Sequence, residues 1–131
     1  MAKHNEIGKL GEDLAAKWLR NIDFAILERN YLKKYGEIDI VARETEIIHF
    51  IEVKTVSYET KRILEDSVSR GTWRPEENVH FEKQKRLART IEAWIHENEY
   101  YGDWQIDVLT VRVVPREKFA SFMMIENVIF E

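Results

Sequence analysis

The chain has 131 residues, which predicts a single domain spanning residues 1–131. Apolar residues make up 44% and charged residues 34%, a globular balance, and the lack of cysteine excludes disulfides, cysteine nucleophiles and zinc–thiolate sites. The net charge of −4 does not by itself indicate a polyanion partner, and no apolar run approaches the roughly 20 residues that span a bilayer, so we expect a cytoplasmic protein without a membrane partner.

The hydropathy pattern predicts two helices and five strands. Apolar residues at helical spacing indicate a first helix over residues 5–20 and a second over about 80–98. The strands are expected at 24–29, 36–42, 46–54, about 104–114 and 119–130. Residues 55–78 have no clear period and are expected to form a long loop. The order α-β-β-β-α-β-β predicts a mixed sheet flanked by helices, which is an α/β or α+β fold.

Each predicted helix has one apolar stripe that should face the sheet. In the first helix the stripe comprises Ile7, Leu10, Leu14, Ala15, Trp18 and Leu19. In the second helix it comprises Leu87, Ile91, Trp94 and Ile95. Glu12 falls on the shoulder of the first stripe, and the tryptophans other than Trp73 are expected in the core.

The most informative feature for function is Asp39 followed by the segment Glu52-Val53-Lys54. Alternate residues of a strand share a face, so Glu52 and Lys54 project to the same side, roughly 7 Å apart. Phe50 precedes them on that face, so the two charges end an apolar row. If the two strands involved pair as a hairpin, Asp39 converges on Glu52.

Two carboxylates and a lysine at one point suit metal-assisted hydrolysis of phosphodiesters. Carboxylate oxygens suit Mg²⁺ or Mn²⁺, which keeps positions for water and for substrate oxygens. The metal lowers the pKa of its bound water, and the lysine can orient that water or offset developing negative charge. The alternative is a hairpin in which Asp39, Glu52 and Lys54 only form salt bridges at the sheet edge.

An Asp followed on the next strand by (Asp/Glu)-x-Lys resembles the PD-(D/E)xK nuclease superfamily, which has the restriction-endonuclease-like fold. More closely, the chain resembles the YraN-like family of small bacterial proteins. The matching segments follow one another over most of the chain: GKLGEDLAAKWL (8–19), RNY (29–31), GEIDIVA (36–42), FIEVKT (50–55), KQKRL (83–87), IDVLTV (106–111) and IENVIF (125–130). Similarity of fold and motif links this family to archaeal Holliday-junction resolvases, so any function inferred from the resolvases rests on analogy.

The resemblance implies a set of active-site residues. Asp39 and Glu52 are implied as direct metal ligands, and Lys54 as the catalytic lysine. Glu12 is implied to face the metal directly or through water, and the backbone carbonyl of Val53 is implied as a further ligand. Without the resemblance, Glu12 would be interpreted as a solvated helix glutamate.

One position departs from the family pattern. The family usually has EVKTR, whereas Val56 follows Thr55 in this sequence. The missing guanidinium could have gripped a phosphate through two hydrogen bonds. Lys61, Arg62 or Arg70 in the next segment could replace it, and the acids and the lysine of the motif are intact.

The start of the second helix is a candidate nucleic-acid interface. Lys83, Gln84 and Arg86 are the predicted contacts, and no acidic residue lies between positions 83 and 89. A basic helix start can contact phosphates, aided by the positive end of the helix dipole, and a solvated helix face is the alternative. Trp73 could stack on a base, with local packing as the alternative.

Two polar residues within apolar strands are expected to be structural. Asp107 interrupts an apolar strand and should accept hydrogen bonds in a partly buried place. His49 alternates with apolar neighbours and should be a hydrogen-bonded packing residue, not a metal ligand. Neither residue is expected to take part in the site around Asp39.

These features lead to two hypotheses of different class. The first is a Mg²⁺- or Mn²⁺-dependent endonuclease that hydrolyses phosphodiester bonds of DNA, with branched or damaged DNA as candidate substrates. The second is a non-catalytic module on a nuclease-like fold that binds nucleic acid or recruits a partner, which the acidic composition and the missing arginine favour modestly. The oligomeric state is open. A homodimer is considered because related resolvases act as symmetric dimers on four-way junctions, and a monomer is the alternative.

Overall fold

The computed structural model describes residues 2–71 and 81–128. These residues form three α-helices and five strands: α1 (Ala2–Asn21), β1 (Ala25–Lys33), β2 (Gly36–Glu44), β3 (Ile47–Ser57), α2 (Lys61–Arg70), α3 (Phe81–Glu97), β4 (Trp104–Val114) and β5 (Phe119–Ile125). A 3₁₀ turn, Pro115–Glu117, connects β4 to β5. In the part of the chain so described, no helix has both the length and the apolar character needed to cross a bilayer.

The five strands form one sheet in the order β1-β2-β3-β4-β5. The pairs β1–β2, β2–β3 and β4–β5 are antiparallel, whereas β3 and β4 are parallel. A parallel pair needs a crossover connection, and the chain between β3 and β4 that contains α2 and α3 supplies it. The mixed α/β class predicted from the sequence is therefore confirmed.

Apolar helix surfaces cover both faces of the sheet. On one face Ala15, Ala16 and Leu19 of α1 pack with Ile51 and Leu109 in a buried cluster. On the other face α3 forms a second cluster, whose members are Leu87, Ile91, Trp94, Tyr31, Ile38, Val41, Ile48 and Phe50. Burying a Leu, Ile or Phe side chain contributes about 1.5–3 kcal/mol, so each cluster holds its helix firmly against the sheet.

The structure corrects the prediction of a long loop at residues 55–78 for its described part, residues 55–71, whereas residues 72–78 lie outside the described residues. Strand β3 continues further than predicted, and α2 follows it. Thr60 caps α2 by accepting a hydrogen bond from the Ile63 amide at 3.1 Å, and Gly71 ends it in the left-handed conformation. Leu64 is the buried residue of this helix, so the segment has too little apolar periodicity to be predicted from hydropathy.

The remaining predictions of position agree with smaller differences. Helices α1 and α3 and strand β4 lie where the pattern places them. Strand β5 ends at Ile125, and residues 129 and 130 of the predicted strand lie outside the described residues. Leu10 was predicted to face inward but is 37% exposed, because α1 presents Gly11 to β3 instead. Trp104 is 45% exposed and is not a core residue.

A polar pair is buried within the sheet, as predicted for Asp107 and His49. Asp107 is 0% exposed, and its Oδ2 lies 2.5 Å from His49 Nδ1. Its Oδ1 accepts hydrogen bonds from Gln105 Nε2 at 2.8 Å and from the Asn127 amide at 2.9 Å. Both residues are therefore structural, since the carboxylate is satisfied entirely by groups of the fold.

Candidate functional site

The predicted acidic residues lie where β2 and β3 stop pairing. The antiparallel register ends at Ile40↔Ile51. Ile38 packs in the α3 cluster and Ile40 in the α1 cluster, although residues two apart in a regular strand share a face, so β2 is irregular at Asp39. There Asp39 Oδ2 accepts a hydrogen bond from the Val53 amide at 2.8 Å. The Asp39 carboxylate thus replaces a main-chain carbonyl of β2 as the hydrogen-bond acceptor for β3.

Glu52 and Lys54 lie on β3 beside this carboxylate. Glu52 is only 8% exposed, and Lys54 Nζ lies 3.4 Å from Glu52 Oε1. Both residues follow the buried Phe50 at alternate positions of the strand, as the sequence predicted. The end of the apolar row therefore carries a buried carboxylate with an ammonium group held against it.

The pKa of the Asp39 carboxyl lies far above its ordinary range. It is raised from 3.8 to about 8, first by burial and then by the negative charge of Glu52, and the hydrogen bond from the Val53 amide offsets only part of this. The charges of Glu12 and Glu37 raise it further. An acid that served only in salt bridges would have a lowered pKa, so the direction of the shift does not match the salt-bridge alternative for Asp39. Glu52 does pair with Lys54, as that alternative expects.

Helix α1 brings Glu12 to the site through a glycine contact. A Cβ added to Gly11 would lie 1.9 Å from Thr55 Oγ1, so only glycine lets α1 approach β3 this closely. The half-buried Glu12 accepts a hydrogen bond from Asn30 Nδ2 at 2.6 Å through its Oε1. Its charge also acts on Asp39, so Glu12 is not the fully solvated glutamate of the alternative interpretation.

Asn30 belongs to the site, although the sequence reasoning did not select it. It has a left-handed φ of 52°, which asparagine tolerates better than most residues, and a register shift in β1 precedes it. This conformation aims its amide at the carboxylate of α1. The same RNY segment contacts α1 a second time, because Arg29 forms an ion pair with Asp13 at 2.7 Å.

The donor set of this site fits a hard divalent cation. Asp39 and Glu52 supply carboxylate oxygens in a place with excess negative charge. Among residues 2–71 and 81–128, no three His, Asp or Glu side chains are preassembled around one metal position. Mg²⁺ is usually bound through one or two carboxylates plus substrate phosphates, so two acids suit Mg²⁺ or Mn²⁺. The roles of Glu12 and of the Val53 carbonyl as further ligands stay predictions.

A groove with a basic lining adjoins the acidic site. It lies between the β1–β2 hairpin and α3, and we call it the hairpin–α3 groove; its charged residues are Lys33, Lys34, Glu37, Lys85, Arg86 and Arg89. A Cβ on Gly36 would lie 2.5 Å from Thr90 Oγ1, so a glycine is needed for the hairpin to close onto α3. The Arg89 guanidinium lies 4.4 Å from the centre of the Tyr35 ring. Glu37 lines the groove, and its charge also raises the pKa of Asp39, two residues further along β2.

The structure brings only part of the predicted nucleic-acid contacts to this groove. Arg86 is exposed and lines it, whereas the half-buried Gln84 is not among its lining residues. The side chain of Lys83 and the whole of Trp73 lie outside the residues that the structure describes. Lys34 adds a cation from the hairpin turn, which a helix pattern could not reveal.

Comparisons with known proteins match most of the chain. The profile of uncharacterised protein family UPF0102 matches residues 11–111. A UPF0102 protein of Dictyoglomus turgidum is 34% identical over 125 residues, covering 95% of this chain and 97% of the relative. A UPF0102 protein of Campylobacter concisus is 37% identical over 122 residues, covering 92% of this chain and 91% of the relative. One of Campylobacter lari is 36% identical over 104 residues, covering 79% of this chain and 81% of the relative. The chain therefore belongs to uncharacterised protein family UPF0102, the YraN family.

Proposed function

We propose that the chain is a Mg²⁺- or Mn²⁺-dependent endonuclease that hydrolyses phosphodiester bonds of DNA. The observation that carries the proposal is the convergence of the half-buried Asp39 on the buried Glu52 where β2 and β3 stop pairing, which raises the pKa of the Asp39 carboxyl to about 8. Strongly shifted groups with a specific charged neighbour cluster at functional sites. The hairpin–α3 groove beside it offers cations to a polyanionic substrate.

Asp39 and Glu52 would hold the metal, with Glu12 and the Val53 carbonyl as further ligands. When bound, the metal would lower the pKa of a coordinated water and take up negative charge on phosphoryl oxygens. Asn30 keeps the Glu12 carboxylate oriented toward the site through its 2.6 Å hydrogen bond. The acids therefore supply negative charge and fix the position of the metal, and they need not exchange a proton with the substrate.

Lys54 supplies a positive charge next to these acids. Its Nζ lies 3.4 Å from Glu52 Oε1, within reach of a phosphate placed against that carboxylate. There the ammonium can orient the attacking water. It can also offset negative charge while the bond from water oxygen to phosphorus forms and the bond from phosphorus to the leaving oxygen breaks. The attacking water releases its proton to bulk solvent, and the leaving oxygen takes a proton from solvent.

Two substitutions of nearly unchanged size test the assignment. Glu52→Gln and Lys54→Met should each reduce metal-dependent cutting by about 100-fold or more, because each removes a charge at the reacting phosphate. The assay uses duplex, single-stranded, flapped and four-way-junction DNA with Mg²⁺ or Mn²⁺. Glu46→Gln, in the exposed turn between β2 and β3, is the matched control and should cut like the wild type. Unchanged cutting by both test variants would refute the assignment.

A non-catalytic nucleic-acid-binding module is the second candidate. The hairpin–α3 groove favours it, because the cations of the groove do not depend on a metal. In that case DNA binding survives EDTA and Asp39→Ala, and no substrate is cut in Mg²⁺ or Mn²⁺. Arg86→Gln should then weaken binding and reduce its dependence on salt concentration. Metal-dependent cutting products would exclude this candidate.

A further inference from the structure

Arg112 on β4 is a buried arginine for which the described residues supply no counter-ion. It is 8% exposed, and its Nε has no hydrogen-bond partner in the part of the chain that the structure describes. Across the described ranges 2–71 and 81–128, no carboxylate forms an ion pair with it. Arginine is almost never buried unless it is paired, since a buried charge without compensation is costly. The side chain therefore has an unused capacity for an anion.

The register of the parallel strands places Arg112 in the row of the candidate active site. Glu52 is paired with Val108, Lys54 with Thr110, and Val56 with Arg112. Paired residues of neighbouring strands share a face, as do residues two apart on one strand. Glu52, Lys54 and Arg112 therefore project from the same face, and Arg112 lies one alternate position, about 7 Å along the strand direction, beyond Lys54.

The acidic residues of the adjoining connections are engaged elsewhere. Glu59, after β3, pairs with Arg116 at 3.7 Å. Glu117, after β4, accepts a hydrogen bond from the Lys61 amide at 2.9 Å. The direct neighbours of Arg112 in the sheet are Val56 and Ser121, which carry no charge. An anion for Arg112 must therefore come from outside this set, and the active-site row is where one would arrive.

We propose that Arg112 binds a phosphate of the nucleic-acid backbone in the active-site row beside Lys54. This inference rests on the proposed function, and it names a substrate-binding residue of the same site. A guanidinium offers two parallel N–H groups to a phosphate, which a lysine ammonium cannot do. It also supplies a guanidinium at the level of Val56, where the chain has no arginine of its own on β3. The site then presents the carboxylates of Asp39 and Glu52 to a metal and the cations of Lys54 and Arg112 to phosphate.

Binding measured without hydrolysis tests this inference. Fluorescently labelled duplex and four-way-junction DNA is titrated with wild type, Arg112→Met and Arg112→Lys in Ca²⁺ instead of Mg²⁺. Arg112→Met should weaken binding by about 10-fold and reduce the slope of log affinity against log salt concentration by about 0.9, the value for one phosphate contact. Arg112→Lys should keep the salt slope but recover only part of the affinity, because it keeps the charge and loses the fork.

Thermal unfolding separates substrate binding from a structural role. Arg112→Met should leave the Tm unchanged or raise it, since the arginine has no partner to lose. Arg43→Met is the matched control, because Arg43 is exposed near the opposite end of β2 and its loss should leave the affinity within about twofold. A lowered Tm with unchanged affinity of Arg112→Met would overturn the inference, and so would a wild type that binds no DNA.

The failure of this inference is distinguishable from the failure of the proposed function. DNA binding that depends on Arg112, without cutting in Mg²⁺ or Mn²⁺, would support Arg112 and refute the endonuclease. The opposite result has two parts: cutting depends on Glu52 and Lys54, and Arg112→Met changes neither cutting nor binding. It would support the endonuclease and refute the phosphate-binding role of Arg112.

Discussion

Two aspartates of the sheet, the buried Asp107 and the half-buried Asp39, have surroundings that are opposite in kind. Asp107 on β4 has three N–H groups or ring nitrogens of the fold directed at its two oxygens, from His49, Gln105 and Asn127. Asp39 on β2 has one amide hydrogen bond, and its other neighbours include carboxylates that raise its pKa to about 8. A buried acid that is fully satisfied holds the fold together. One that is surrounded by like charge indicates a place for a cation.

The largest expected effect is the loss of stability on removing the satisfied acid. Asp107→Ala removes the acceptor of the buried His49 and of the less buried Gln105 side chain and Asn127 amide, so the free energy of unfolding should fall by about 3–5 kcal/mol. Urea denaturation followed by tryptophan fluorescence measures it. Asp103→Ala, at an exposed position just before β4, is the matched control and should change stability by less than about 0.5 kcal/mol. Equal effects of the two substitutions would contradict a structural role for Asp107.

Removing the charge of Asp39, which has carboxylates for neighbours, should change stability with the opposite sign. Asp39→Asn keeps an oxygen for the Val53 amide and removes a charge that the fold disfavours. The folded-state pKa of about 8 lies above the ordinary 3.8, so protonated Asp39 stabilises the fold fully below about pH 4, and this contribution is lost as the pH rises through 8. At pH 7 in EDTA the variant should therefore be more stable than wild type by about 1–4 kcal/mol.

Urea denaturation of wild type and Asp39→Asn from acid to neutral pH measures this difference. The two curves should agree near pH 4 and separate as the pH rises. Added Mn²⁺ should stabilise the wild type and not the variant, because a ligand stabilises the state that binds it. Superimposable curves over the whole range would contradict the special status of Asp39.

The smallest of the three effects concerns how α1 presents Glu12 to the acids. Gly11→Ala puts a Cβ against Thr55 and should lower stability by about 1–3 kcal/mol, with a matching loss of cutting as Glu12 moves away. Gly8→Ala, three residues earlier on the same helix, meets nothing within 4 Å and should raise stability by up to about 1 kcal/mol. Thermal unfolding of the two variants measures both changes in stability. A Gly11→Ala variant more stable than the wild type would show that α1 does not need this close approach to β3.

The convergence of Asp39 and Glu52 could be predicted from the sequence, because both lie on one short hairpin. A hairpin has local register, and its alternation of buried and exposed residues is readable without a structure. Glu12 could be selected only through the family resemblance, since its polar side chain on a helix shoulder is typical of solvated positions. Its approach to the site depends on Gly11, which is itself a common residue in loops and turns.

Arg112 and Asn30 could not be predicted for a different physical reason. The position of Arg112 beside Lys54 depends on the register of a parallel pair, which is set by a crossover that spans α2 and α3 and has no local signal. Asn30 acts through a left-handed backbone conformation, and the preference of asparagine for that conformation is too weak to locate it. Helix α2 could not be predicted from hydropathy because Leu64 is its one buried residue.

The bond from the Val53 amide to Asp39 has a consequence for how the chain can vary. The turn between β2 and β3 is two residues long, Thr45 and Glu46, and it sets which residue of β2 stands opposite each residue of β3. A single inserted or deleted residue there would shift the ladder by one and turn alternate side chains to the opposite face. Asp39 would then leave the end of the ladder, and an Ile would stand in its place. This turn tolerates a change of residue but not a change of length.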